Sequence, residues 1–283
     1  MKKVLKPLGV IFLIILIALT GCKKSDSGTN SDNPPTPTVP TGAINGLFTI
    51  NDNGDQVYFS QGNLQYQAST ETWRFAEYQW DYIGMDNENI SPEYNGWIDL
   101  FGWATGHNPT NTSIVYYDYS SFNDWGYNSI SNGGNQTNQW RTLTVAELRY
   151  VFFMRSTTSG IRFAKAVVNG VCGVVLLPDN WKSSFYSLNS TDNSYADYSG
   201  NAISQSDWTT KFEANGAVFM PAAGFRSGMD VYRVGNLGAY WSAVVWMYDN
   251  NCAGTVIFDD SHLEESGNFC HFGLSVRLAY SAE

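Results

Sequence analysis

Histidine and cysteine are scarce in this chain. Its 283 residues include three histidines and four cysteines, too few for a dense disulfide framework or a repeated zinc pattern. Cys252 and Cys270 stand at a spacing that fits no zinc signature, so no metal is expected. Basic residues are also under-represented: 16 Lys and Arg face 26 Asp and Glu, a net charge of −10. Such an acidic surface argues against binding nucleic acid or anionic lipid. No Gly-x-Ser-x-Gly sequence is present to place a nucleophile on a sharp turn. Beyond the first 22 residues there is no linker as marked as the one that follows them, which favours one domain with long loops.

What is present begins with an address. Lys2, Lys3 and Lys6 precede an apolar run from Leu8 to Leu19, too short for a permanent membrane span and suited to a signal-peptide core. Leu19-Thr20-Gly21-Cys22 resembles the bacterial lipobox, which implies cleavage before Cys22 and lipidation of its thiol. Residues 1–22 are therefore read as a lipoprotein signal peptide, and 23–42, with "NPPTPTVPT", as a flexible tether. The expected location is the outer membrane of the cell envelope, surface-exposed. The basic start of "KKSDS" leaves the periplasmic face open as well.

Residues 43–283 carry the folding pattern. Gly46 to Gln67 alternates around Asn53-Gly54, a hairpin signal, and "TWRFAEYQWDYIG" is a second strand region. Met85 to Trp140 lacks a sustained period and reads as long loops anchored by Trp97, Phe101, Trp103, Trp125 and Trp140. Thr144 and Glu147 form a capping box, after which Leu148, Val151 and Phe152 share one helix face. Ser204 caps a second helix that Gly216 stops. "VNGVCGVVLLPDNW" reads as a buried strand and "GAVFMPAAGFR" as another. Two helices among strands without βαβ alternation predict an α+β fold with a mainly antiparallel sheet.

The motifs "WRTLTVAEL", "VNGVCGVVLLPDNW", "GAVFMPAAGFRSG", "YWSA" and "GLSVRL" resemble exported Bacteroidetes proteins with a C-type-lectin-like domain, in the branch related to formylglycine-generating enzymes. That family includes the variable proteins of diversity-generating retroelements. The resemblance spans about residues 43–280 and implies a ligand-binding surface on the last stretch of the chain, held by a fixed scaffold ending in "SVRL". On this reading Trp246, Met247, Tyr248, Asp249, Cys252, Thr255, Ile257, Asp259, His262, Glu264, Cys270 and His271 face outward as a recognition surface. Alternation assigns Ala253, Val256 and Phe258 to the core and Cys252, Gly254, Thr255 and Ile257 to the outside, with a bulge invoked because 255 and 256 do not fit one period. Exposed Trp and Tyr supply large contact area at low entropic cost.

Chemistry beyond binding finds little support. The copper-binding cysteine pair of formylglycine-generating enzymes is closely spaced, unlike Cys252 and Cys270, and an enzyme is not expected. Calcium-dependent lectins of this fold use Glu-Pro-Asn or Gln-Pro-Asp followed by Trp-Asn-Asp, and neither occurs. "FNDW" at Phe122–Trp125 has the letters in another order. Cys252 and Cys270 either bridge in an oxidising compartment or stay free, and Cys172 reads as a buried free thiol. The expected function is a lipid-anchored, receptor-like or adhesin-like protein that recognises a protein or glycan without a cofactor. Alternatives are a structural adhesin or pilus-associated component, an oxidase or a hydrolase.

Overall fold

Asn53 and Gly54 reverse the chain where the sequence asks for a turn: Gly54 adopts φ +86°, and its N–H donates to the Asn51 carbonyl. In the computed structural model, which describes residues 38–119, 121–249 and 251–282, this turn joins β1 (Phe48–Thr49) to β2 (Gln56–Phe59). The last strand, β16 (Ala279–Ser281), pairs with the far side of β2, so the two ends of the fold are tied in one small sheet. Cys22 and the signal and tether before residue 38 lie outside the described residues. Among the described residues no helix is long and apolar enough to cross a membrane.

Four further sheets follow. β3 (Leu64–Gln67) lies between β4 (Thr72–Phe75) and β5 (Trp97–Ile98). β6 (Phe163–Val168) and β7 (Val171–Leu176) form a hairpin flanked by β8 (Ala202–Ile203) and β9 (Val218–Pro221). β10 (Phe225–Ser227) sits between β11 (Asp230–Tyr232) and β15 (Phe272–Gly273). The longest strands, β12 (Gly238–Val245), β13 (Cys252–Phe258) and β14 (Leu263–Phe269), form an antiparallel meander. All strand pairs are antiparallel except β6 with β8, and the fold is α+β.

The helices are short and capped as their sequences predict. Thr144 and Glu147 close the capping box of α1 (Val145–Arg149), which continues as a π turn over Tyr150–Met154 and buries Leu148, Val151 and Phe152. Ser204 caps α2 (Gln205–Asp207), which widens into a π turn and ends at Gly216 in the left-handed region. Of the loop anchors, Phe101, Trp103, Trp125 and Trp140 are buried. Trp97 is instead half-buried beneath the Arg74 guanidinium, 3.7 Å from its ring centroid.

Two hydrophobic cores lie on opposite faces of the β12–β14 meander. Ala253 belongs to the first, with Trp103, Trp125 and Trp241; Val256 and Phe258 belong to the second, with Phe152 and Tyr240. Strict alternation along β13 therefore separates one core from the other and not inside from outside. The register from Cys252↔Phe269 to Phe258↔Leu263 runs without a break, so the bulge expected within 253–258 is absent from that pairing. The irregularity lies in the partner strand, between Trp241 and Val245 of β12.

The "SVRL" segment clamps this meander. Ser275 pairs in parallel with Tyr240, accepting from the Trp241 N–H and donating to the Ala239 carbonyl, each at 3.1 Å. Arg277, almost fully buried, donates to Gln79 Oε1 at 2.9 Å and to the Phe219 carbonyl at 3.3 Å. Burial pushes its guanidinium down to about 10; the surrounding oxygen acceptors keep the charge tolerable in the interior.

Candidate functional site

The β12 bulge sets the geometry of the carboxy-terminal surface. Extra residues around Ser242 send the end of β12 past β13, re-aiming the chain as bulges do. Trp103 donates from its indole to the Ser242 carbonyl at 2.9 Å and pins the bulge from beneath. Beyond it, Trp246 to Asp249 form a turn closed by the Asp249 N–H to the Trp246 carbonyl. The Asp249 carboxylate then accepts from the Asn251 N–H at 2.8 Å. These bonds let a protruding turn keep a defined shape.

On that turn Met247 and Tyr248 are 73% and 80% exposed. Trp246 is half-buried, with its indole over β14: a Cβ added to Gly267 would lie 2.5 Å from the ring. Trp246 and Tyr248 meet edge to face, centroids 5.7 Å apart. Beside them Arg149 of α1 grips Glu265 of β14 through two hydrogen bonds of 2.7 Å. The pair neutralises the carboxylate and leaves an apolar, aromatic platform.

A second aromatic file begins at the same end of the meander. Phe269 stacks on His271 at 5.5 Å, both touch Phe272, and Phe272 packs on Phe225, which stacks on Tyr232. Burial lowers the His271 imidazole below its ordinary range, favouring the neutral ring in this stack. Phe269, Phe272, Phe225 and Tyr232 escaped the sequence reading, as did Arg149 and Gly267. The spaced aromatics of "NFCHF" were the available signal for Phe269 and Phe272.

The twelve expected surface residues do not form one patch. Trp246, Met247, Tyr248, Asp249 and His271 gather at the end of the meander where β12 leaves and β15 begins. Asp259, His262 and Glu264 lie at the other end, about 20 Å away along a seven-residue strand at ~3.3 Å per residue. There Asp259 accepts from the Ser261 N–H, the Ser261 hydroxyl, the His262 N–H and Arg233. Burial raises its carboxyl, but these hydrogen bonds prevail and hold it well below the ordinary aspartate range. Asp259 thus organises its turn. His262 is exposed, set against Tyr195 at 5.8 Å between centroids, and Glu264 is exposed.

Three of the twelve are turned inward, and the expectation of their exposure is corrected. Thr255 is fully buried because it lies mid-strand between both neighbours; its hydroxyl donates to the Ser266 carbonyl and accepts from the Asn268 amide. Cys270 is buried in the first core, and Cys252 is buried at the start of the central strand. Gly254, also expected outside, is buried because α1 covers it, with Val145 where a side chain would go. Ile257 is only half-buried, packed against the first core.

The thiols are free, and the register explains it. Cys252 stands opposite Phe269, whereas the Cys270 N–H bonds the Asn251 carbonyl. One residue out of step, the two side chains leave opposite faces of the sheet, a poor geometry for a bridge. Burial, with Cys252 and Asp249 nearby, pushes the Cys270 thiol up to about 12; burial and Asp249 raise Cys252 as well. Cys172, expected to be buried, is half-exposed.

Among the described residues no group of three or more His, Cys, Asp or Glu side chains is arranged to hold a metal ion. The Asp124 carboxylate of "FNDW" is engaged by Thr142 and by the Gly126 N–H. No family model, curated protein or solved structure matches this chain.

Proposed function

We propose that this chain is a lipid-anchored, non-catalytic binding protein of the cell envelope, built on a C-type-lectin-like fold, which engages a protein or glycan through the Trp246–Asp249 turn and the adjoining Phe269–His271 edge. The carrying observation is that a turn fixed by backbone and carboxylate hydrogen bonds holds Met247 and Tyr248 almost entirely in solvent. An exposed aromatic such as Tyr248, with two side-chain torsions on a preorganised backbone, loses little entropy on binding and makes an effective anchor. The motif resemblance supports the fold and the choice of this end of the chain. The inward thiols and the split of the other expected residues narrow the surface to the aromatic end.

The test screens the full chain against arrayed glycans and envelope or host-surface proteins, then repeats any positive with Trp246→Ala/Tyr248→Ala. Anchors of this type make the double variant bind at least about 30-fold more weakly while its melting temperature stays within a few degrees. Unchanged affinity would move the recognition surface elsewhere. A double variant that fails to fold would reassign both aromatics to the core.

A further inference from the structure

The β13–β14 hairpin defines which backbone groups of β14 are used. At one end the Asp259 N–H bonds the His262 carbonyl, and at the other the Cys270 N–H bonds the Asn251 carbonyl. With an unbroken register between them, the backbone groups of Glu264, Ser266 and Asn268 point to β13. Those of Leu263, Glu265, Gly267 and Phe269 point the other way. Strand β14 pairs with β13 alone. Among the described residues nothing hydrogen-bonds the outward N–H and C=O groups of Glu265, Gly267 and Phe269.

Open edges are ordinarily blunted by charged side chains, lysine above all, by proline, a bulge or a covering element. "LEESGNF" carries neither lysine nor proline, and its register is regular. Of its two glutamates Glu265 is paired with Arg149, which among the described residues leaves Glu264 as its one unpaired charge. The edge is also two-faced. On the α1 side it presents Phe269, Gly267 beneath the Trp246 indole, and Glu265 neutralised by Arg149. On the opposite side Glu264 is exposed, flanked by the polar Ser266 and Asn268, in a chain of net charge −10.

We propose that the free edge of β14 receives an extended peptide strand whose side chains alternate between apolar and basic. Its backbone pairs with Glu265, Gly267 and Phe269. Its apolar side chains lie on the Trp246–Phe269 face and its basic ones on the Glu264 face. The inference rests on the binding-surface reading above and deepens it, making the partner a polypeptide recognised by strand addition. The chain's own acidity opposes a second copy in this place.

The probe is acetyl-(Lys-Val)3-amide, titrated into the isotope-labelled full chain while amide hydrogen exchange is followed. Exchange at Glu265, Gly267 and Phe269 should slow at least tenfold at saturation, with little change at the already bonded Ser266 and Asn268. The same peptide N-methylated at every residue and the Glu-Val analogue should give no such slowing. Glu264→Lys, a change on an exposed side chain, should weaken the Lys-Val peptide about threefold to fivefold, the range of a surface charge contact. Shifts confined to Trp246 and Tyr248 without slowing at the edge would overturn strand addition while leaving the aromatic surface intact. Absence of Lys-Val binding at millimolar concentration would also overturn it. So would edge protection that appears without peptide and grows with protein concentration, which would assign the edge to a second copy.

Discussion

The Trp246 indole rests on Gly267 with no room between them for a methyl group. The glycine is therefore a seat, and the position of the aromatic turn depends on it. Gly267→Ala should push the ring off β14 and cost about 1–3 kcal/mol, the range for overpacking. Oxidation of Trp246 by N-bromosuccinimide, located by peptide mapping, should accelerate in the variant. An unchanged rate would mean the ring is held by other contacts.

Thr255 belongs to the framework and not to the proposed recognition surface. Replacing it with valine preserves shape but removes the hydroxyl's bond to the Ser266 carbonyl, which keeps its ladder bond to β13, and the acceptor of the Asn268 amide. A loss of about 1–3 kcal/mol is expected for the two lost hydrogen bonds, measured by urea denaturation. Thr255→Ser should retain most of the stability.

Asp99 is fully buried, accepting from the Ile83 N–H at 2.9 Å and the Asn87 amide at 2.8 Å. Burial, opposed by these hydrogen bonds, pushes its carboxyl up to about 6 from an ordinary 3.8. The folded chain binds this proton more tightly than the unfolded one, so ionisation opposes folding. That penalty is complete above pH 6 and disappears as pH falls toward 4. The stability of Asp99→Asn relative to wild type should thus decline by about 2–3 kcal/mol from pH 7 to pH 4, read from urea midpoints at each pH. A pH-independent difference would contradict the raised carboxyl.

Cys252 and Cys270 should resist iodoacetamide at pH 8 in the folded chain, because burial keeps both thiols protonated and the thiolate is the reactive form. Unfolding without reductant should expose both, along with Cys172, to alkylation counted by mass spectrometry. A species two mass units lighter that resists alkylation would reveal a bridge and require a different register.

Local chemistry was readable in the sequence. The Thr144–Glu147 box, the Ser204 cap, the Asn53-Gly54 turn and the Gly216 stop depend on residues a few positions apart. The aromatic anchors were visible as large apolar side chains stranded in polar loops. Whether β13 has one covered face or two was not readable, because that depends on the far-off residues of both cores. Cys252 and Thr255 were misassigned for that reason, and Cys270 because the chain just past β14 turns it into the first core. The β12 bulge had no glycine or proline to mark it, and the outward set of β14 backbone groups emerges only from cross-strand register. Phe225 and Tyr232 join the aromatic file through folding, far from "NFCHF" in the chain.

Burial on both sides of β13 also bears on how this protein tolerates change. Sliding the strand by one position would exchange Thr255 with Val256, putting a hydroxyl in the second core in place of a hydrocarbon and taking from the first face the hydroxyl that bonds Ser266 and Asn268. Misalignment is penalised twice over, so the hairpin's ends are mechanically insulated from one another. Lengthening or rewriting the segment around Met247 would leave the alignment near Asp259 undisturbed, and the reverse holds as well. New side chains can thus be tried at either tip without renegotiating the rest of the molecule.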